Sequence, residues 1–204
     1  MRHQSTHPSL ALFAGLALAA ASLTACATTG EAIDRFDQFT AQQEVDFTSY
    51  DAVYLAPVQV AEEITDRIDY RPRGATDRIR PLGERDIARN VERLTEEVSE
   101  DLAAVTTLVD APGEGVLTIE ITLTDLEAAR PTLAELSQEP GLSLQSRALG
   151  GASADIVFKE GDKVLATAED DYRDTDLRDA NLGTFTTAYQ FYARLGSKLA
   201  DLVS

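Results

Sequence analysis

The sequence contains no tryptophan, and its single cysteine, both histidines and only methionine all lie near the start of the chain. These residues are Met1, His3, His7 and Cys26. If the chain is cut before Cys26, the mature protein has no histidine, and its one thiol belongs to its first residue. Such a protein cannot use Ser-His-Asp or Cys-His catalysis, cannot hold zinc with histidine or cysteine, and cannot form a disulfide within the chain.

Cations are also scarce. The chain has 18 Lys and Arg against 35 Asp and Glu, which gives a formal net charge of −17. Binding a nucleic-acid backbone requires Lys and Arg, so nucleic acid is not expected as a partner. The simplest role of the acidic surface is solubility. The hydrophobic content of 44% is enough for the core of one domain.

Residues 1–25 have the three parts of a secretion signal: a polar start with Arg2, an apolar run over residues 10–23, and small residues before a cut. The apolar run is short for a transmembrane span, which needs about 20 residues. Two alternatives remain at this point: an uncleaved membrane anchor, and an ordinary secretory signal followed by an incidental cysteine.

The tetrapeptide Leu23-Thr24-Ala25-Cys26 resembles the lipobox of bacterial lipoproteins. The resemblance implies that the cysteine carries diacylglycerol and further acyl chains such as palmitate. Two or more chains would anchor the protein firmly on a membrane. Residue 27 is Ala rather than Asp, and by the same resemblance this favours the outer membrane, facing the periplasm.

The sequence after the signal predicts a tether over residues 26–45 and a single α/β domain over 46–204. The tether includes a candidate short helix at 31–39. Two long helices are indicated by apolar residues at spacings of three and four, over Glu84–Val105 and over residues 184–202. Their apolar stripes are Ile87, Val91, Leu94, Val98, Leu102 and Val105, and then Phe185, Ala188, Tyr192, Leu195, Leu199 and Leu202.

Four strands are predicted. One covers 51–58 and is short and apolar, and one covers 116–126, where apolar and polar residues alternate. Two more, 152–158 and 163–170, form a hairpin in which Gly161 suits a positive φ angle. Residues 62–81 are expected to be irregular, and 127–151 to be a long excursion with a short helix near 131–136.

These elements predict an α+β fold in the order β-α-β-(excursion)-β-β-α. We expect a mainly antiparallel sheet of four to five strands with the two principal helices packed on one face.

The order of these landmarks resembles a proteobacterial lipoprotein family catalogued as a domain of unknown function, family 3313. The resemblance rests on the lipobox, on residues 50–58, on residues 115–119 with the strand that follows, and on the hairpin around Gly161. It implies no activity, cofactor or catalytic residue. A more distant likeness to small α/β domains of envelope lipoproteins is an analogy of fold and guides function weakly.

An acidic run over residues 169–176 is the first candidate site. No frame of it places oxygen ligands, glycine and glutamate where a calcium loop needs them, although a looser calcium site stays open. The same carboxylates would allow a glycan hydrolase if two of them converged. A solvated loop is the simplest expectation for this run.

Arginines concentrate between residues 67 and 93. Arginine binds carboxylate and phosphate through two parallel hydrogen bonds, so this stretch is a candidate site for an anionic ligand. The alternative is internal pairing with nearby acids, among them Asp66, Asp69, Asp77, Glu84 and Asp86. The candidate contacts are Arg67, Arg71, Arg73, Arg78 and Arg80, and Arg85, Arg89 and Arg93 complete the stretch.

Three aromatic residues follow one another on the last predicted helix. Tyr192 fits its buried stripe, whereas Tyr189 and Phe191 fall beside the stripe and would offer an exposed edge to a partner. Taken together, the sequence predicts a membrane-anchored, non-enzymatic lipoprotein without cofactor or metal, which binds a protein or another envelope component.

Overall fold

A computed structural model of the protein describes residues 35–42, 45–68, 70–71, 79–139, 141–143, 145, 148–174 and 183–204. Cys26 and the rest of the predicted signal lie outside these residues. The elements in chain order are β1 (Gln38–Ala41), a 3-10 turn (Phe47–Ser49), β2 (Ala52–Leu55), β3 (Gln59–Val60), α1 (Glu62–Thr65), α2 (Glu84–Val105), β4 (Thr107–Leu108), β5 (Val116–Glu127), α3 (Leu133–Gln138), β6 (Gly151–Glu160), β7 (Lys163–Arg173) and α4 (Thr186–Val203).

The strands of the described residues form one mixed sheet in the order β1-β7-β6-β5-β2-β4, with β3 also beside β5. Pairing is antiparallel from β1 through β5 and parallel where β2 meets β4 and β5 and where β3 meets β5. The α+β class is confirmed, but the prediction of a mainly antiparallel sheet with four to five strands is wrong. Three strands are added, and two of them, β3 and β4, have two residues each, which is too short to show any periodicity.

The two long helices and the hairpin lie where the sequence predicts them. Helix α2 packs along α4, and α4 packs on β6 and β7. Of the predicted stripe on α2, Val105 is 45% exposed, because it ends the helix and leads directly into β4. Gly161 has a φ of 57°, so it occupies the left-handed conformation that the hairpin turn requires.

Strand β5 separates a buried face from a polar face. Leu117, Ile119, Ile121 and Leu123 are fully buried and face the helices. A β-bulge between Leu123 and Asp125 then shifts the register, so that Asp125 pairs with Ser153 and Leu126 with Ala152. The bulge turns the carboxylate of Asp125 to the polar face and keeps Leu126 buried.

Strand β1 lies within the stretch that the sequence assigns to the tether. Gln38 and Phe39 pair with β7, so the short helix expected at 31–39 does not extend over them. Phe36 is 5% exposed, and its ring packs against those of Phe39 and Phe158 at centroid distances of 6.0 and 6.4 Å. Burial of these rings outweighs a local preference for helix.

Candidate functional site

A cavity of about 980 Å³ lies at the end of the sheet where β5 stops. Its walls come from three stretches of chain: α1 and the residues after it, the end of β5, and the residues just before β6. The cavity is lined by Glu63, Asp66, Arg67, Tyr70, Ile79, Arg80, Asp125, Glu127, Ala128, Ala148 and Leu149. Cavities of a few hundred to about 1,000 Å³ with apolar walls and a few polar groups are the usual form of a ligand site.

Arg67 crosses from α1 to the end of β5. Its Nε donates to the carbonyl of Arg80 at 2.8 Å, and one Nη donates to the carbonyl of Leu126 at 2.7 Å. The same Nη lies 3.4 Å from a carboxylate oxygen of Asp125. Burial lowers the pKa of Arg67, and the neighbouring carboxylates of Asp125, Glu127 and Glu135 partly offset this effect. The guanidinium therefore links the residues after α1 to Arg80 and to the end of β5 within the cavity wall.

Arg80 is directed to a buried acid on α3. A guanidinium nitrogen of Arg80 lies 3.6 Å from Glu135, whose side chain is 6% exposed. Glu135 also accepts from the backbone N–H of Thr132 at 2.8 Å and so completes a capping box at the start of α3. The hydroxyl of Thr132 donates in turn to the carbonyl of Pro81 at 3.2 Å. These contacts fasten α3 to the segment that carries Arg80.

Arg173, at the end of β7, forms ion pairs with two of the cavity's carboxylates. Its guanidinium lies 2.7 Å from Asp125 and 2.8 Å from Glu127. Partial burial disfavours its charge, but these two carboxylates prevail and raise the pKa of Arg173. Asp125 is thus shared between Arg67 and Arg173, and this network closes the end of the sheet.

The structure describes three of the five arginines that the sequence proposes as contacts for an anionic ligand. Arg67 and Arg80 have internal acid partners, but these are Asp125 and Glu135 rather than the nearby acids that the sequence suggested. Arg71 is exposed. Arg73 and Arg78 lie outside the described residues. Further along the stretch, Arg93 pairs with Glu96 at 2.8 Å and with Glu97.

The acidic run begins as a strand, so the expectation of a solvated loop is wrong for residues 169–173. Its side chains alternate between the two faces of β7. Glu169 and Asp171 are exposed, whereas Asp170 is 3% exposed and binds Lys198 of α4 at 2.6 Å. Asp174 is buried and accepts a hydrogen bond from the hydroxyl of Thr187.

This alternation separates the carboxylates that calcium binding or glycan hydrolysis would require together. Among the residues that the structure describes, no group of three or more Asp, Glu, His or Cys side chains is arranged to hold a metal ion. Residues 175 and 176, which end the run, are not among them.

The aromatic residues of α4 face inward. Tyr192 and Phe191 are both fully buried, so the prediction of an exposed edge is wrong for Phe191. Tyr189 is half-buried and packs against the core. The hydroxyl of Tyr192 donates to the side-chain oxygen of Asn90 at 3.0 Å and links α4 to α2.

Sequence reasoning missed most of the cavity. The spacing of Leu123 and Leu126, which is three rather than two, breaks the alternation of β5 and is the local signal of the bulge that aims Asp125 outward. Ile79 and Leu149 are single apolar residues in irregular segments. No local pattern separates such residues from ordinary loop residues.

The chain matches the model of one known protein family. A family model described as "Protein of unknown function (DUF3313)" matches residues 28–157. The chain belongs to this family. The match confirms the family resemblance inferred from the sequence and assigns no activity to the DUF3313 chain. No curated protein matches it.

Some solved structures are similar at a low level. A PelC dodecamer from Paraburkholderia phytofirmans is 8% identical with a TM-score of 0.38, and the match covers 79% of this chain and 97% of that one. A DUF330 protein from Xanthomonas campestris is 11% identical with a TM-score of 0.38, and the match covers 79% of this chain and 87% of that one. Structural similarity at this level supports no conclusion about function.

In the part of the chain that the structure describes, no helix is both long and apolar enough to cross a membrane. The apolar run at residues 10–23 lies outside that part.

Proposed function

We propose that this DUF3313 protein is a lipoprotein of the outer membrane, cleaved before Cys26, lipid-anchored through that residue and facing the periplasm. We further propose that it works without catalysis, as a binding module for another envelope component. The Leu23-Thr24-Ala25-Cys26 tetrapeptide, after its apolar run, supports the anchor, and Ala27 supports the choice of membrane.

The observation that carries the binding role is the position of the cavity relative to β1. Gln38 pairs with Glu169 on β7, and Arg173, four residues further along β7, binds the cavity residues Asp125 and Glu127. The chain therefore enters the sheet at the same end as the cavity. Neighbouring strands are about 4.8 Å apart, so the three steps from β1 to β5 span only about 15 Å.

The tether limits how far the domain stands from the lipid. Twelve residues lead from Cys26 to Gln38. At about 3.5 Å per residue, the longest reach of this segment is roughly 40 Å. An anchored domain would thus stay within roughly 40 Å of the membrane, so that its cavity is within reach of proteins embedded there.

The absence of catalysis is supported by the chemistry of the chain after Cys26, which contains no histidine and no further cysteine. In the cavity, two of the four lining carboxylates, Asp125 and Glu127, are held by Arg173. A hydrolase of the two-carboxylate type requires one acid to keep its proton and another to act as a base. Both carboxylates are instead engaged by the same guanidinium, which leaves neither free to act on a substrate in this arrangement.

The test is the mature N-terminus of the full-length chain, expressed with its own signal in a Gram-negative host. Mass spectrometry should find an N-terminal Cys26 with diacylglycerol and a further acyl chain, and fractionation should place the protein with the outer membrane. A Cys26→Ser variant should lose both the modification and the membrane association. An unmodified Cys26, or a chain that retains residues 1–25, would overturn the proposal.

A further inference from the structure

Exposed apolar side chains gather at the cavity end of the domain. Among the described residues, four large hydrophobic side chains are exposed, and two of them, Ile79 and Leu149, line the cavity with 47% and 43% of their surface open. A third, Leu133, is 81% exposed at the start of α3. Contacts of Thr132 with Pro81 and of Arg80 with Glu135 hold that helix beside the cavity wall. Exposed apolar residues that cluster in this way mark a contact surface.

Among the described residues at the cavity, acidic side chains outnumber basic ones. The lining contains four carboxylates and two guanidiniums, and Arg173 adds a third guanidinium that binds Asp125 and Glu127. Arg67 pairs with Asp125, and Arg80 pairs with Glu135 of α3. Glu63 and Asp66 are exposed, and their carboxylates make no ion pair within the described part of the chain. These two carboxylates therefore remain available to a cation that enters the cavity.

This combination selects one kind of occupant. A phosphate or an anionic lipid headgroup would meet the carboxylates of Glu63 and Asp66 and the overall charge of −17. Like charges placed together in an interface cost free energy, so anionic ligands are disfavoured. A cationic side chain flanked by apolar ones satisfies both features at once. Its apolar neighbours would cover Ile79 and Leu149, while its charge would lie at the rim.

We propose that the cavity binds a segment of a partner protein in which Lys or Arg lies between large apolar residues. The proposal rests on the binding role given above and adds the chemistry of the partner. The volume of about 980 Å³ leaves room for several side chains of such a segment.

The test uses the full-length protein in phosphatidylethanolamine nanodiscs and three labelled decapeptides with a common Gly-Ser frame. Their centres are Leu-Lys-Leu, Leu-Glu-Leu and Ser-Lys-Ser, and empty nanodiscs measure binding to lipid alone. Fluorescence anisotropy should find the Leu-Lys-Leu peptide bound at least tenfold more tightly than the other two. Equal binding of Leu-Lys-Leu and Ser-Lys-Ser would reduce the effect to net charge and overturn the proposal.

Paired variants locate the binding site. Glu63→Gln with Asp66→Asn should weaken binding of the Leu-Lys-Leu peptide by roughly threefold to tenfold, since exposed charge pairs are individually weak. The matched control, Asp155→Asn with Glu169→Gln, removes two exposed acids elsewhere and should change binding less than twofold. Leu149→Ser should weaken binding, whereas Val105→Ser, at similar exposure but outside the cavity, should not.

If both acid pairs, or both Ser variants, weakened binding equally, the binding site would lie elsewhere and the proposal would be contradicted. Tight binding of the Leu-Glu-Leu peptide would also contradict it, as would a cavity that retains a lipid and binds no peptide. Thermal denaturation of each variant verifies that these surface changes leave the fold intact. Lipidation of Cys26 is measured in a separate experiment. A failure of the peptide-binding test therefore leaves the proposed membrane anchor standing, and an unmodified Cys26 leaves the peptide-binding result standing.

Discussion

The ammonium of Lys198 lies 2.6 and 2.8 Å from the two carboxylate oxygens of Asp170, and this ion pair joins α4 to β7 in the protein interior. The side chain of Asp170 is 2% exposed, whereas that of Lys198 is 26% exposed. The Nζ of Lys198 also lies 5.7 Å from the ring centre of Phe36, at the entry to β1. One lysine thus connects the last helix, the hairpin and the segment that leads from the tether.

Lys198→Met should lower the free energy of unfolding by about 3 kcal/mol or more at pH 7, because a buried carboxylate then loses its cation. Burial already raises the pKa of Asp170, although Lys198 opposes this effect. An acid whose pKa is raised by folding stabilises the fold below its unfolded pKa, and this contribution is lost as the pH rises. The deficit of the variant should therefore shrink between pH 7 and pH 5 in urea denaturation.

The control for this ion pair is Lys159→Met, which breaks the pair with the more exposed Glu120 and should cost less than about 1 kcal/mol. The double change Asp170→Leu with Lys198→Met should recover much of the loss, because a buried ion pair can be replaced by apolar side chains of similar size. Equal losses for Lys198→Met and Lys159→Met would contradict the assignment of a buried pair.

Tyr192→Phe should lower stability at pH 7 by about 1–3 kcal/mol, since it leaves the buried oxygen of Asn90 without its donor. Burial raises the pKa of Tyr192 above its ordinary value of 10.0. Above that pH the unfolded phenol ionises while the folded one stays protonated, so wild-type stability falls by about 1.4 kcal/mol per pH unit from this group. Urea denaturation should find the gap between wild type and variant narrowing between pH 9.5 and pH 11. A constant gap would show that Tyr192 has an ordinary pKa.

Gly196 lets α4 approach α2 closely. A Cβ at this position would lie 3.1 Å from the backbone carbonyl oxygen of Glu97 and 2.6 Å from a carboxylate oxygen of Asp101. Gly196→Val should destabilise the protein by roughly 1–3 kcal/mol, because the helices would have to separate. Gln190→Val, at an exposed position of the same helix, introduces the same side chain where no other described helix packs against it and should cost below about 1 kcal/mol. Thermal denaturation that ranks the two variants equally would rule out close packing at Gly196.

The sequence predicts those parts of the fold that depend on a long periodic pattern. Helix α2 matches its predicted bounds, and the apolar residues of the alternation in β5, from Leu117 to Leu123, are all fully buried. The parallel strands β3 and β4 escape prediction because two residues show no period, and their pairing depends on the crossover through α2. The cavity escapes prediction for a related reason: its residues come from distant segments, and only folding brings Glu63 and Leu149 together.

Asp155 and Glu169 stand directly opposite each other on β6 and β7, and both are exposed on the polar face. Like charges in this arrangement destabilise a strand pair. Glu169→Lys replaces the repulsion with an attraction and should raise the free energy of unfolding by about 0.5–1 kcal/mol in dilute buffer. Glu169→Gln should give roughly half of this gain, because it only removes the repulsion.

The gain at Glu169 must be separated from a general relief of the net charge of −17. Glu114→Lys makes the same change of charge at an exposed turn position before β5, so it measures that general effect. Glu169→Lys should stabilise the protein by more than Glu114→Lys does, and the difference should shrink at about 1 M salt, where the Debye length is near 3 Å. Equal gains for the two variants at low salt would contradict this prediction. They would mean that water screens the repulsion between Asp155 and Glu169 so well that it does not lower the stability of the fold.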